Sequence, residues 1–240
     1  MSRSDRPFDR ALARARDTRY LAVDAGIRHR TSEVFATLFG PQAAVIVADE
    51  RTFDAAGRDV VDSFRHAGQT SIVPFLFRPD IVAEETRVLE LQTALSPIQA
   101  VPVAVGSGTI NDLTKLVAHR LGRPYLAVAT AASMDGYTAF GASILHEGFK
   151  QTFACPAPVG VLADLDVIAR APRELNAAGY ADLLAKNVAG ADWILADAAG
   201  VEAIDSSVWE TVHASLNSWV DFPAGIAKGD PDSLRRLVTG

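Results

Sequence analysis

The chain has 240 residues, of which 49% are hydrophobic and 22% charged, and its net charge is −6. That composition describes a globular protein with one substantial core, or one domain plus part of another. It excludes the basic footprint of a nucleic-acid binder, and no apolar run reaches the roughly 18 residues that span a membrane. The single cysteine, Cys155, rules out an internal disulfide. With no signal-peptide pattern at the start, it points to a reducing, cytoplasmic setting.

The first 20 residues are locally basic (Arg3, Arg6, Arg10, Arg14, Arg16, Arg19) and read as a charged leader or first helix. Short apolar runs then alternate with helical patterns. Tyr20 to Val23 reads as a strand, and Arg30 to Phe39 as a helix stopped by Gly40-Pro41. Ala43 to Ala48 reads as a buried strand followed by Asp49, and Phe53 to Ala67 as a helix ending at Gly68. Thr70 to Phe75 is a third strand and Ile81 to Leu95 a helix. Ala100 to Val105 is a fourth strand. Its helix carries Ile110, Leu113, Leu116, Val117 and Leu121 on one face, and Gly122 and Pro124 end it. Tyr125 to Ala129 is a fifth strand. This rhythm predicts an α/β fold, a Rossmann-like parallel sheet with helices on both faces.

After about residue 160 the character changes. Val161 to Ile168 is apolar with acidic breaks, and from Glu174 onward the pattern is mostly helical. Asp230-Pro231-Asp232-Ser233 reads as a helix start, with Pro in the first turn and acids near the N-terminus. A boundary near 165–170 therefore separates an α/β domain from an all-helical one.

Three stretches could carry chemistry. In Gly106-Ser107-Gly108-Thr109-Ile110-Asn111-Asp112 a strand feeds a glycine turn and a helix N-terminus. Free amides and the helix dipole there suit an anion, and glycine lets a pyrophosphate approach the backbone. Asn111 stands where G-x-G-x-x-G has its third glycine, so a plain strand–helix connection is the other reading. Asp49, at a strand end, suits ribose hydroxyls or a helix cap. Thr130-Ala131-Ala132-Ser133-Met134-Asp135 offers small residues against which a ligand can lie, two hydroxyls, and a carboxylate for a polyol. Asp182 is either half of an i,i+4 pair with Lys186 or a metal ligand without companions. None of the five histidines forms an HxxxH pair, and His213 reads as a partly buried helix residue.

Taken together and in order, these stretches resemble the sn-glycerol-1-phosphate dehydrogenases of the iron-type alcohol dehydrogenase and glycerol dehydrogenase superfamily. Four pieces carry the likeness: Val47-Ala48-Asp49 with Thr52 and Ala56-Gly57; Gly106 to Lys115; the T-x-x-S-x-D-G loop Thr130 to Gly136; and Ala177 to Lys186 followed by Ala191-Asp192-Trp193.

The resemblance implies reduction of dihydroxyacetone phosphate to sn-glycerol 1-phosphate by NADH or NADPH, with a divalent metal polarising the ketone. Zinc is the first expectation for that metal, with nickel or iron as alternatives. Asp49, Gly106, Gly108, Thr109, Ile110, Asn111, Asp112, Thr130, Ala131, Ala132 and Ser133 would meet the dinucleotide. Asp135 would hold substrate, and Asp182 would bind both substrate and metal. Residues 1–167 would form the dinucleotide-binding domain, and 168–240 the N-terminal portion of a helical metal and substrate domain. A homo-oligomer acting on a small molecule, with no nucleic acid and no membrane insertion, is implied as well.

Two departures stand out. Ala139 occupies a place where the family often has serine, and the family's two histidine ligands lie in a region beyond Gly240. The chain is therefore expected to be a fragment or a shortened protein. A non-catalytic dinucleotide-binding module is the principal alternative. A dehydroquinate-synthase-like cyclase ranks lower, because Gly136-Tyr137-Thr138-Ala139 replaces that group's Ser-Val-Gly-Gly-Lys type run.

Overall fold

A computed structural model describes residues 12–240. Half of the arginine-rich start (Arg3, Arg6 and Arg10) falls on residues 1–11, outside the described residues. Six strands form one parallel sheet in the order β1 (Tyr20–Asp24), β8 (Gly160–Asp164), β5 (Leu126–Ala129), β4 (Val101–Gly106), β2 (Ala44–Asp49), β3 (Ser71–Phe77). The central strands are apolar on both faces, as a doubly covered sheet requires. Along β2, Val45 and Val47 enter one core, while Ala44, Ile46 and Ala48 enter the opposite one. That alternation is the period-2 geometry of a pleated strand.

Helices α1 (Thr31–Phe39) and α2 (Arg58–His66) cover one face through Val34, Phe35, Val60 and Phe64. Helices α3 (Glu85–Leu95) and α4 (Gly108–Arg120) cover the other through Val88, Leu91, Leu95, Ile110, Leu113 and Val117. The sheet therefore winds outward in both directions from the β2/β4 pair. Val47 pairs with Ala104, and both strands run on to Asp49 and Gly106. That switch point is where open parallel sheets bind ligands.

Two features depart from the sequence expectation. The run placed at Val161 to Ile168 splits: Gly160–Asp164 is a buried strand inserted between β1 and β5, and Leu165–Ile168 is a separate short helix. Its pattern is a short apolar run closed by Asp164, a buried parallel strand's signature. An antiparallel hairpin, β6 (Ala142–His146) and β7 (Phe149–Phe153), was not anticipated at all. Glu147 and Gly148 join its strands, both at positive φ (49° and 82°). This is the backbone of a two-residue type I′ turn, for which Glu is an uncommon first residue.

From Arg173 onward the chain is helical: α5 (Arg173–Ala198), α6 (Ser206–Val220), α7 (Pro223–Lys228) and α8 (Pro231–Thr239). The helix start read at Asp230-Pro231-Asp232-Ser233 is realised, and Asp230 caps α8 by accepting from the Ser233 amide at 2.9 Å. These helices close over the carboxyl end of the sheet. Leu183, Leu216, Ile226, Leu234 and Leu237 pack with Val23, Ala129, Ala132 and Ala163. No helix among the described residues is long and apolar enough to cross a membrane.

Candidate functional site

The glycine turn sits at the end of β4. Ser107 makes no side-chain cap for α4, so most of the first-turn amides lack a side-chain acceptor. Gly106 is required by packing: a Cβ there would stand 2.5 Å from the Ile110 Cβ. Gly108 is different, since a Cβ would meet only the flexible Met134 Sδ, at 3.0 Å. The Gly108 amide has a long bond to Ser133 Oγ at 3.4 Å. An uncapped helix start at the switch point fits the pyrophosphate of a dinucleotide.

The remaining residues of that stretch divide. Ile110 is fully buried and can offer only its backbone. Asn111, 1% exposed, turns inward and accepts from Tyr125 Oη at 3.1 Å. Asp112 accepts from the Ser143 amide at 3.2 Å, and burial pushes its carboxyl up from the ordinary range. Thr109, in the same first turn, is half-buried. Across the switch point, Asp49 caps the next turn in a reciprocal box: its Oδ1 accepts from the Thr52 amide at 2.8 Å, and Thr52 Oγ1 accepts from the Asp49 amide at 3.1 Å. The cap reading of Asp49 is therefore realised, with Oδ2 left for a ligand.

The loop after β5 wraps the same helix start. The Thr130 amide donates to Gly106 O at 3.1 Å, and Tyr137 Oη donates to Ala131 O at 2.8 Å. Burial raises the Tyr137 phenol well above its usual value, so it stays a donor. The sequence expectation that Ala131 and Ala132 leave the backbone open to a ligand needs correction: Ala131 is 1% exposed with its carbonyl taken by Tyr137, and Ala132 is buried as well. Helix α5 covers it: Asn176 Oδ1 accepts from the Ala132 amide at 3.0 Å, and a Cβ on Gly179 would fall 1.9 Å from Ala132 O. Asn176, 5% exposed, also donates to Ile168 O at 2.9 Å. Asn176 and Gly179 were missed in the sequence, where an Asn-x-x-Gly spacing on one helix face was their only signal.

That docking brings α5 side chains to the loop. The Asp135 amide donates to Asp182 Oδ2 at 3.1 Å, and Lys186 Nζ reaches Asp135 Oδ2 at 2.5 Å. The i,i+4 pair with Lys186, one of the two readings of Asp182, does not form, and Lys186 pairs with the Asp135 carboxylate instead. Among the described residues no three His, Cys, Asp or Glu side chains gather closely enough to hold a metal. Asp182 has no co-ligand among them, so they do not by themselves fit a metal centre, which usually takes three protein ligands. Further along α5, Lys186, Gly190 and Trp193 line a cavity of about 430 Å³ together with Trp209 and His213 of α6. His213, half-buried, stacks on Trp209 at 3.8 Å.

A buried clamp lies at the same carboxyl edge of the sheet. Asp164, fully buried at the end of β8, accepts from the amides of Gly26 and Arg28 and from Arg28 Nη1 at 2.9 Å. Burial alone would raise its carboxyl, but the bonds and charge from Arg28 more than offset this and hold it below the ordinary range.

A doubly wound parallel sheet, a glycine turn at its switch point and helices closing the carboxyl edge define the class: a Rossmann-like α/β domain joined to a helical region. Residues 22–172 match the model of the iron-containing alcohol dehydrogenases, and the chain belongs to that family.

The glycerol-1-phosphate dehydrogenase [NAD(P)+] of Geobacillus thermodenitrificans is 34% identical over 197 residues, 81% of this chain and 49% of that protein. The enzyme of the same name from Methanosarcina mazei is 33% identical over 74% of this chain and 49% of its own length. The chain thus spans about half the length of the curated relatives it matches. Among solved structures, glycerol dehydrogenase from Schizosaccharomyces pombe superposes with a TM-score of 0.68 at 20% identity, over 94% of this chain and 61% of that one. NADH-dependent butanol dehydrogenase A from Thermotoga maritima gives 0.71 at 16% identity, over 93% and 60%. At those identities the structures speak for the fold.

Proposed function

We propose that this chain is the dinucleotide-binding unit of an NAD(P)H-dependent oxidoreductase of the glycerol-1-phosphate dehydrogenase type, which reduces dihydroxyacetone phosphate to sn-glycerol 1-phosphate. The observation that carries the reading is the uncapped start of α4 at the β2/β4 switch point, with Asp135 and Asp182 beside it. The relatives' names supply the substrate class. Bound NAD(P)H would supply the hydride. The protein's own part is to bind and orient: the amides of Gly108 to Ile110 hold the pyrophosphate, and Asp49 Oδ2 accepts from ribose hydroxyls. That carboxylate disfavours a 2′-phosphate and so favours NADH over NADPH. Asp135 and Asp182 accept from the hydroxyls of a triose on the other side of the cleft.

Because Asp182 has no co-ligand among the described residues, no step is assigned to a metal. Zinc, nickel or iron would require ligands beyond them. The test combines NADH and NADPH titration, metal analysis and dihydroxyacetone phosphate reduction on the 240-residue chain. NADH binding without stoichiometric metal or turnover is expected of this unit alone. Failure to bind either nucleotide would overturn the reading. Turnover with one metal per chain would show that the site is complete, with ligands from a second copy or from residues 1–11.

A further inference from the structure

Lys115 is a buried charge that the dinucleotide reading does not use. It lies two turns beyond Gly108 on α4 and is 1% exposed. Its ammonium has three N–H donors, and three main-chain carbonyls surround it: Ala139 O at 2.9 Å, Gly141 O at 3.0 Å and Gly136 O at 3.5 Å. All three belong to the stretch that follows Asp135. One turn earlier on the same helix, Asp112 takes the Ser143 amide. A cation thus holds the carbonyls of this stretch, and an anion holds the amide that closes it.

An apolar side chain of similar volume would fill the space without the cost of burying an ammonium. What the ammonium adds is a fixed position for three carbonyls. The path from there to the cleft is short. Asp135 immediately precedes Gly136, its amide bonds Asp182, and its carboxylate bonds Lys186.

We propose that Lys115 is a positioning residue: its ammonium pins the carbonyls of Gly136, Ala139 and Gly141, and so sets Asp135 against Asp182 and Lys186 beside the first turn of α4. The assignment deepens the proposed function and rests on it only for the role of Asp135 toward substrate.

The Asp135 amide is the reporter, because its bond to Asp182 exists only while the loop is in place. Hydrogen exchange is followed by NMR on the ligand-free 240-residue chain. Lys115→Met should speed exchange at Asp135 by about tenfold or more, while β4 and β5 amides stay within about twofold. Asp182→Ala should speed the same amide when Lys115 is present and add nothing in the Lys115→Met background. A Lys115 that merely fills space gives an unchanged Asp135 rate in Lys115→Met, and equal effects of Asp182→Ala in both backgrounds. Either result overturns the proposal. Lys115→Gln keeps two donors and covers the case in which the methionine variant does not fold. Its expected rate is intermediate, and a wild-type rate overturns the proposal. NADH titration of the unmutated chain separates the two ideas: failure to bind NADH overturns the dinucleotide reading and leaves the exchange result standing.

Discussion

The two sides of the cleft are built from different materials. On the α4 side the donors are main-chain amides at the end of a central strand, and their positions follow from the sheet. On the α5 side the polar groups are side chains at the surface, and Asp135 and Asp182, 47 positions apart, meet only because a helix docks on a loop. A backbone-built site tolerates no misplaced Cβ but is complete within one strand–turn–helix unit. A side-chain-built site can be lost without harm to the fold, and among the described residues Asp182 has no companions. Substitutions can separate the two modes.

The largest effect should come from Gly179→Ala, which drives a Cβ to 1.9 Å from Ala132 O with backbone on both sides. We expect a loss of more than about 3 kcal/mol in urea unfolding despite alanine's better helix propensity. A neutral result would mean that α5 is not seated on the loop.

Asp164→Ala should cost about 3 kcal/mol by stranding the partly buried Arg28. The pH dependence has a definite sign. The folded carboxyl lies below its unfolded value of about 3.9. Its stabilisation is therefore fully present above that pH and is lost as pH falls through the folded pKa. Wild type should lose stability on acidification below about pH 4 more steeply than Asp164→Asn; parallel curves would refute the clamp.

The glycines sharpen the contrast on the α4 side. Gly106→Ala should destabilise by about 1–3 kcal/mol, through overpacking against Ile110. Gly108→Val meets only a movable thioether and should cost less stability, while weakening NADH binding by about tenfold or more as it fills the pyrophosphate space. Unchanged NADH affinity would make the turn purely structural. The smallest effect belongs to Asp182→Ala, for which NADH affinity should stay within about twofold, because its polar contact lies on the substrate side. A larger loss would mean that the two sides of the cleft are one site.

The sequence by itself determined what depends on neighbours along the chain. The apolar runs of β2, β4 and β5, the stop at Gly122 and the helix start at Asp230-Pro231 were all legible, because strand period, helix termination and helix initiation act over a few residues. So was the glycine turn, a strand end and a helix start in a single stretch. The tertiary structure decided what depends on partners far away in sequence. It turned Lys186 from Asp182 to Asp135, surrounded Lys115 with three carbonyls, seated Asn176 and Gly179 on the loop at Ala132, and slid β8 between β1 and β5. The reason is physical: a buried donor or charge takes whichever acceptor the packing brings to it, and local spacing cannot name an acceptor that lies tens of residues away.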